Sequence, residues 1–198
     1  MTLWYLARAA GMVALIAFTA STVLGALSSR HTRSPGTGAV DRRYLVQMAH
    51  RSAAITGLLA LASHVALLVV DSYVDVSISG ALIPFAAGYR PPALAMGTLG
   101  VYVIALVAVS GAARGRLASS ARAARRWRWV HATAYVGWTL AMGHGVFAGT
   151  DTGTWWSTAI YLACGGAVAT ALVARLRSRS REQHRPLTAA RTLERSTS

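Results

Sequence analysis

Long apolar runs separated by short polar, arginine-bearing segments set the pattern of this chain. Five stretches are long and apolar enough to cross a hydrocarbon core, which takes about 20 helical residues. They run from Trp4 to Leu27, Leu45 to Val70, Ala93 to Ala113, Trp129 to Gly149 and Trp155 to Leu176. The first lacks the basic start of a signal peptide and its apolar run is too long for one, so it reads as a retained helix. The connection from Asp71 to Pro92 is interrupted by Pro84, Pro91 and Pro92, and predicts a short surface helix or lid. The pattern predicts an all-α integral membrane helical bundle with five transmembrane helices, and no internal repeat is evident by eye.

Composition agrees. The 198 residues are 54% hydrophobic and 13% charged, far more apolar side chain than one soluble core requires. The 20 basic residues are all arginine against 6 acidic ones, a formal charge of +14. Such a balance in a soluble chain would suggest nucleic acid, but these arginines fill the gaps between apolar runs instead of forming a basic stripe. Of the 20, 17 lie in three segments: 28–44, 114–128 and the stretch from Arg175 onward. All three segments fall on one side of a five-span chain, and the positive-inside rule makes that side cytoplasmic. The expected location is the cell membrane, multi-pass, with the N-terminus outside and the C-terminus in the cytoplasm. Trp4, Tyr5, Trp155 and Trp156 then mark the outer interface, and Trp127 and Trp129 the inner one. Residues 177–198 are rich in Arg, Ser and Thr and cannot bury a core, so they are expected to be a disordered cytoplasmic tail. A lone cysteine, Cys164, excludes a disulfide framework and is expected to pack.

The candidate chemistry lies in the histidines. His31 and His184 occupy polar segments and are expected to be solvent exposed. The other four fall in pairs within spans two and four, His50 with His64 and His131 with His144. Ionisable residues inside a membrane are costly and mark functional sites. Spacings of 14 and 13 residues correspond to roughly 21 Å and 20 Å of helix, so each pair reaches from near one interface to near the other. Spans two and four run in the same direction, which sets His50 level with His131 and His64 level with His144. Opposed neutral imidazoles from two helices are the axial ligands of six-coordinate haem iron, and the arrangement predicts two b-type haems between spans two and four. Gly57 lies seven residues from both His50 and His64, which predicts room between the haems; Gly137, Gly143, Gly145 and Gly149 thin span four. The 13-residue spacing would put His131 and His144 about 140° apart on an ideal helix, so either span four is distorted or the two haems differ in azimuth. Arg51 either pairs with a haem propionate or snorkels to the surface, and Arg8 faces the same choice on the outer side.

With these spacings the chain resembles the ferric reductase-like transmembrane domain, the haem module of ferric reductases, NADPH oxidases and the haem-binding subunit of periplasmic methionine sulfoxide reductase. The resemblance rests on Trp4-Tyr5 with Arg8 and Gly11, on His50-Arg51, His64, Pro84-Phe85, His131 and His144, and covers about residues 4 to 176. It implies that the four histidines ligate two haems passing electrons across the membrane, with residues 1–176 as the haem-binding domain. The chain departs from larger members in having five spans where many have six. The stretch after Leu176 is too short for a flavin or nicotinamide domain, so a separate donor is expected, either a flavoprotein reductase or a quinol. The acceptor is expected to be ferric iron or an extracytoplasmic redox partner. Two alternatives belong to other classes: a transporter binding a transition metal through its intramembrane histidines, and a cofactor-free membrane scaffold.

Overall fold

The computed structural model describes residues 2–28, 37–71 and 77–196, with the side chains of 37–39, 179 and 181–196 outside the description. His31 therefore lies outside the described residues, as does the side chain of His184. Eight helices make up the described chain: α1 (Thr2–Ser28), α2 (Thr37–Val70), α3 (Ile78–Leu82), α4 (Pro91–Ala112), α5 (Arg114–Leu117), α6 (Ala121–Ala132), α7 (Ala134–Ala148) and α8 (Trp155–Ser196). Four of them, α1, α2, α4 and α8, are long and apolar enough to cross a membrane.

The fourth expected span is the point of difference. Trp129 to Gly149 is not one helix but the end of α6 and all of α7, broken at Thr133. Thr133 has φ −63° and ψ −8°. That ψ is well short of the usual helical value and tightens the turn. Its N–H donates to the carbonyl of Val130 at 3.1 Å, and its Oγ1 donates to the same carbonyl at 2.7 Å. A threonine hydroxyl bonded back into the preceding turn competes with the helix ladder and bends it. His131 and His144 thus belong to different helices, and of the two explanations for their 13-residue spacing, local distortion is the one found.

Two antiparallel hairpins carry most of the packing. α1 lies along α2, and α4 lies along α7, while α7 and α8 both pack on α1. The apolar core sits where those three meet: Leu15, Trp138, Cys164 and Val168 are buried, ringed by Met12, Phe18, Val23, Tyr135, Met142, Ile160 and Tyr161. Cys164 packs there as expected. Trp138 Nε1 donates to Thr19 Oγ1 at 2.8 Å, and Thr19 donates to the carbonyl of Leu15. This small buried relay satisfies the indole and joins α7 to α1.

Elsewhere the helices turn large apolar side chains outward. Leu59, Val70 and Leu162 are 66%, 71% and 71% exposed. Apolar surface on this scale would be insoluble in water, and it is consistent with a protein of the membrane.

The connection between α2 and α4 contains the short helix expected there. Ser77 caps α3 by accepting from Gly80 N–H, while Thr98 Oγ1 and Tyr102 OH donate to the carbonyls of Ala81 and Leu82 and hold it on α4. Arg90 donates from Nη1 to the carbonyl of Phe147 at 2.7 Å, fastening this connection to the end of α7. The backbone of α8 runs on as helix to Ser196, through the 177–198 segment for which composition predicts disorder. Composition denies that segment a core, but its alanines and arginines have good helix propensity.

Candidate functional site

The four membrane histidines meet in the expected pairs. His50 and His131 lie with ring centroids 6.3 Å apart and planes at 70°. His64 and His144 lie 6.3 Å apart at 75°. Each ring comes to its place by the same local device, which uses the antiparallel helix of its own hairpin.

Glycine makes the approach possible. A Cβ on Gly11 would stand 2.9 Å from His64 Nδ1, and one on Gly97 would stand 2.8 Å from His144 Nδ1. On Gly25 and Gly111 it would stand 3.3 Å from the Cε1 atoms of His50 and His131. Four residues before each glycine is the carbonyl that the ring addresses. His64 Nδ1 binds the carbonyl of Ala7 at 2.7 Å, His144 that of Ala93 at 2.9 Å, and His50 that of Ser21 at 2.9 Å. The Val107 carbonyl faces His131, whose Nδ1 meets Ser110 Oγ at 3.3 Å. In an α-helix a carbonyl already accepts from the N–H four residues on, here the glycine's own. The missing side chain leaves the carbonyl's second lone pair open to the imidazole. Only a protonated Nδ1 can donate to a carbonyl, so each contact fixes the tautomer and leaves Nε2 as the lone-pair nitrogen.

These contacts expose a repeat that reading the chain did not. Ala7, Gly11, Phe18, Ser21 and Gly25 on α1 match Ala93, Gly97, Ile104, Val107 and Gly111 on α4 at a constant shift of 86 residues. Phe18 packs on Gly57, midway between His50 and His64, and Ile104 packs on Gly137 at the matching place. His50 to His131 is a shift of 81, whereas Gly57 to Gly137 and His64 to His144 are shifts of 80. The one-residue difference falls across the break at Thr133. The reading of Gly57 as space between two haems is corrected: that space is filled by the Phe18 ring. Gly143 and Gly145 likewise receive Met96 and the Tyr161 hydroxyl.

The rings suit a metal held between them. Two imidazoles bound through Nε2 to one atom would have centroids about 6.3 Å apart, from about 1.1 Å of ring radius and a bond of about 2.0–2.1 Å on each side. Both observed separations match. Among the described residues no three His, Cys, Asp or Glu side chains cluster as a metal site, so each level offers two ligands. Two opposed imidazoles are a donor set that a haem would fit.

The surroundings of the two levels differ. Beside His131 the Trp127 ring is stacked at 5.0 Å and 17°, and its Nε1 donates to the carbonyl of Ser110. Trp127, expected to mark the inner interface, also braces this histidine. The Arg114 guanidinium lies 5.2 Å over Trp127, and Arg175 Nη1 donates to the Tyr135 hydroxyl at 3.0 Å. At the His64/His144 level Arg8, next to Ala7, pairs with Asp151 and lies 4.2 Å over the Trp4 ring. Arg51 is exposed on α2.

Hydropathy and histidine spacing located the pairs but missed the backing glycines Gly25, Gly97 and Gly111 and the bracing Trp127. A legible signal was present: Gly11 and Gly25, like Gly97 and Gly111, are 14 residues apart, the spacing of His50 and His64. Comparison with family models, with curated proteins and with solved structures finds no match to this chain.

Proposed function

We propose that this chain is a transmembrane electron-transfer protein that holds two b-type haems, one at His50 and His131 and one at His64 and His144. The observation that carries the reading is the pair of matched imidazole couples, each at 6.3 Å with its rings set against glycines, and with Nδ1 of three of the four rings on a helix carbonyl. Haem iron, when bound, supplies one-electron redox chemistry. His50 with His131, and His64 with His144, would hold the two haems from both sides, and haems held in this way would supply outer-sphere electron transfer. The Nδ1 hydrogen bonds keep the ligating nitrogens aimed and deprotonated, and the apolar helices exclude water around them.

In this reading α6 and α7 together form a fifth, broken span, and the arginine-rich segments lie in the cytoplasm. Electrons enter at the His50/His131 level from a cytoplasmic flavoprotein reductase or a membrane quinol. They leave at the His64/His144 level to ferric iron or an extracytoplasmic redox partner. The likeness to the ferric reductase-like transmembrane domain supports the same assignment. A transition-metal transporter is disfavoured, because among the described residues each level offers two ligands where such an ion takes four or more.

A pyridine haemochrome assay with protein quantitation tests the proposal, and two b haems per chain are expected. Protein expressed with adequate haem that contains none, but carries stoichiometric zinc or copper, would move the case to the transporter.

A further inference from the structure

The two levels share one geometry but not one electrostatic setting. At the outer level each Nδ1 gives its proton to a single carbonyl, Ala7 at 2.7 Å and Ala93 at 2.9 Å. At the inner level each Nδ1 also meets a serine. His50 faces Ser21 Oγ at 3.1 Å besides the Ser21 carbonyl. His131 faces Ser110 Oγ at 3.3 Å, and that hydroxyl itself donates to the carbonyl of Val107. An undivided carbonyl bond pulls the Nδ1 proton away more strongly and makes Nε2 the more basic ligand, which stabilises oxidised iron. A divided bond does so less.

Charge acts in the same direction. The outer cation Arg8 is offset by Asp151. The inner cations, Arg114 over the Trp127 stacked on His131 and Arg175 on Tyr135, form no ion pair with a carboxylate among the described residues. A neighbouring uncompensated positive charge favours the state with one more electron. By exposed surface all four histidines are half-buried, but His64 and His144 lie deeper among protein atoms than His131, and that burial works against the trend set by the serines and the arginines.

We propose that the inner couple, His50 and His131, holds the haem of higher reduction potential, set by the serine-shared Nδ1 contacts and by Arg114 and Arg175, while the outer couple holds the lower one. The proposal rests on the haem reading above. Its functional content is that electrons rest on the cytoplasmic side of the protein, and outward passage draws on the membrane potential, which is negative inside and favours the export of electrons.

A redox titration of the haem-loaded protein, followed by visible absorbance, tests this. Two one-electron waves are expected, separated by at least a tenfold ratio of reduced to oxidised haem, or about 59 mV. Arg175→Gln should lower only the higher wave, and Arg175→Lys should leave it in place. Arg114→Gln, at an exposed position, should lower the same wave even where Arg175→Gln fails to fold. Asp151→Asn, which leaves Arg8 uncompensated, should raise only the lower wave. Two haems titrating as one wave, or arginine variants that move the lower wave or neither, would overturn the ordering while leaving the haem assignment intact. A wild-type protein without haem would remove both.

Discussion

The imidazole of His64 on α2 donates from Nδ1 to the carbonyl of Ala7 on α1 at 2.7 Å, beside a glycine whose Cβ would stand 2.9 Å from that same nitrogen. Hydrogen bond and clearance depend on one another, and this makes the glycine as exacting a position as the histidine.

Gly11→Val or Gly97→Val should therefore displace His64 or His144 and reduce bound haem from two per chain toward one, by loss of the outer site. Gly25→Ala and Gly111→Ala meet their rings at 3.3 Å, where a shift of a few tenths of an ångström suffices, and should keep both haems with altered spectra. Haem stoichiometry and visible spectra of the four variants check this; equal loss in all four would remove the distinction between the levels.

The histidines should behave as two couples. His64→Ala and His144→Ala should give matching spectra lacking the outer haem, and His50→Ala and His131→Ala should match each other in lacking the inner one, because losing either axial ligand unmakes the same six-coordinate site. A match between His64→Ala and His131→Ala would show that the pairing by level is wrong.

Arg8 and Asp151 join α1 to the α7–α8 connection, each side chain about three-quarters buried. Asp151→Asn should cost about 1–3 kcal/mol, the usual range for a charged hydrogen bond left unmade. Thermal unfolding in detergent should show it as a lowered midpoint, and the double variant with Arg8→Gln should recover part of the loss.

Trp138→Phe deletes the indole donor to Thr19 while keeping most of the ring's packing. A loss of about 1 kcal/mol is expected, because the buried Thr19 oxygen loses the donor it accepts from while keeping its own bond to Leu15. Trp138→Ala should cost about 3–5 kcal/mol through the cavity it opens among Leu15, Cys164 and Val168. The same unfolding measurement separates the two.

Much of the helical layout was legible because hydropathy is a one-dimensional signal: the runs around Leu15, Leu59, Ile104 and Leu162 are apolar enough to be seen without their partners. The histidine couples were legible for a related reason, since helical rise converts spacing directly into height. What hydropathy cannot carry is lateral approach. Gly57 looks the same in sequence whether a cofactor or Phe18 stands over it, and Gly25 looks like any other membrane glycine until His50 lies on it. The Thr133 break hid within an apolar stretch because threonine's bond back to Val130 leaves hydropathy unchanged. The repeat hid because its matched residues, though mostly identical, are scattered among unlike neighbours, and the connections between them differ in length.

Because each Nδ1 contact is made within one hairpin, each half of the protein orients its own two ligands without help from the other. The first hairpin leaves the ribosome carrying one ligand for each level, already aimed by α1, before the second exists. The second hairpin does not build the sites so much as close them. A cofactor between the two would be gripped by both and would fasten one half to the other. Maturation then becomes an assembly reaction between two prepared halves, and a failure to load would show itself as a loosened pair of hairpins instead of an unfolded chain.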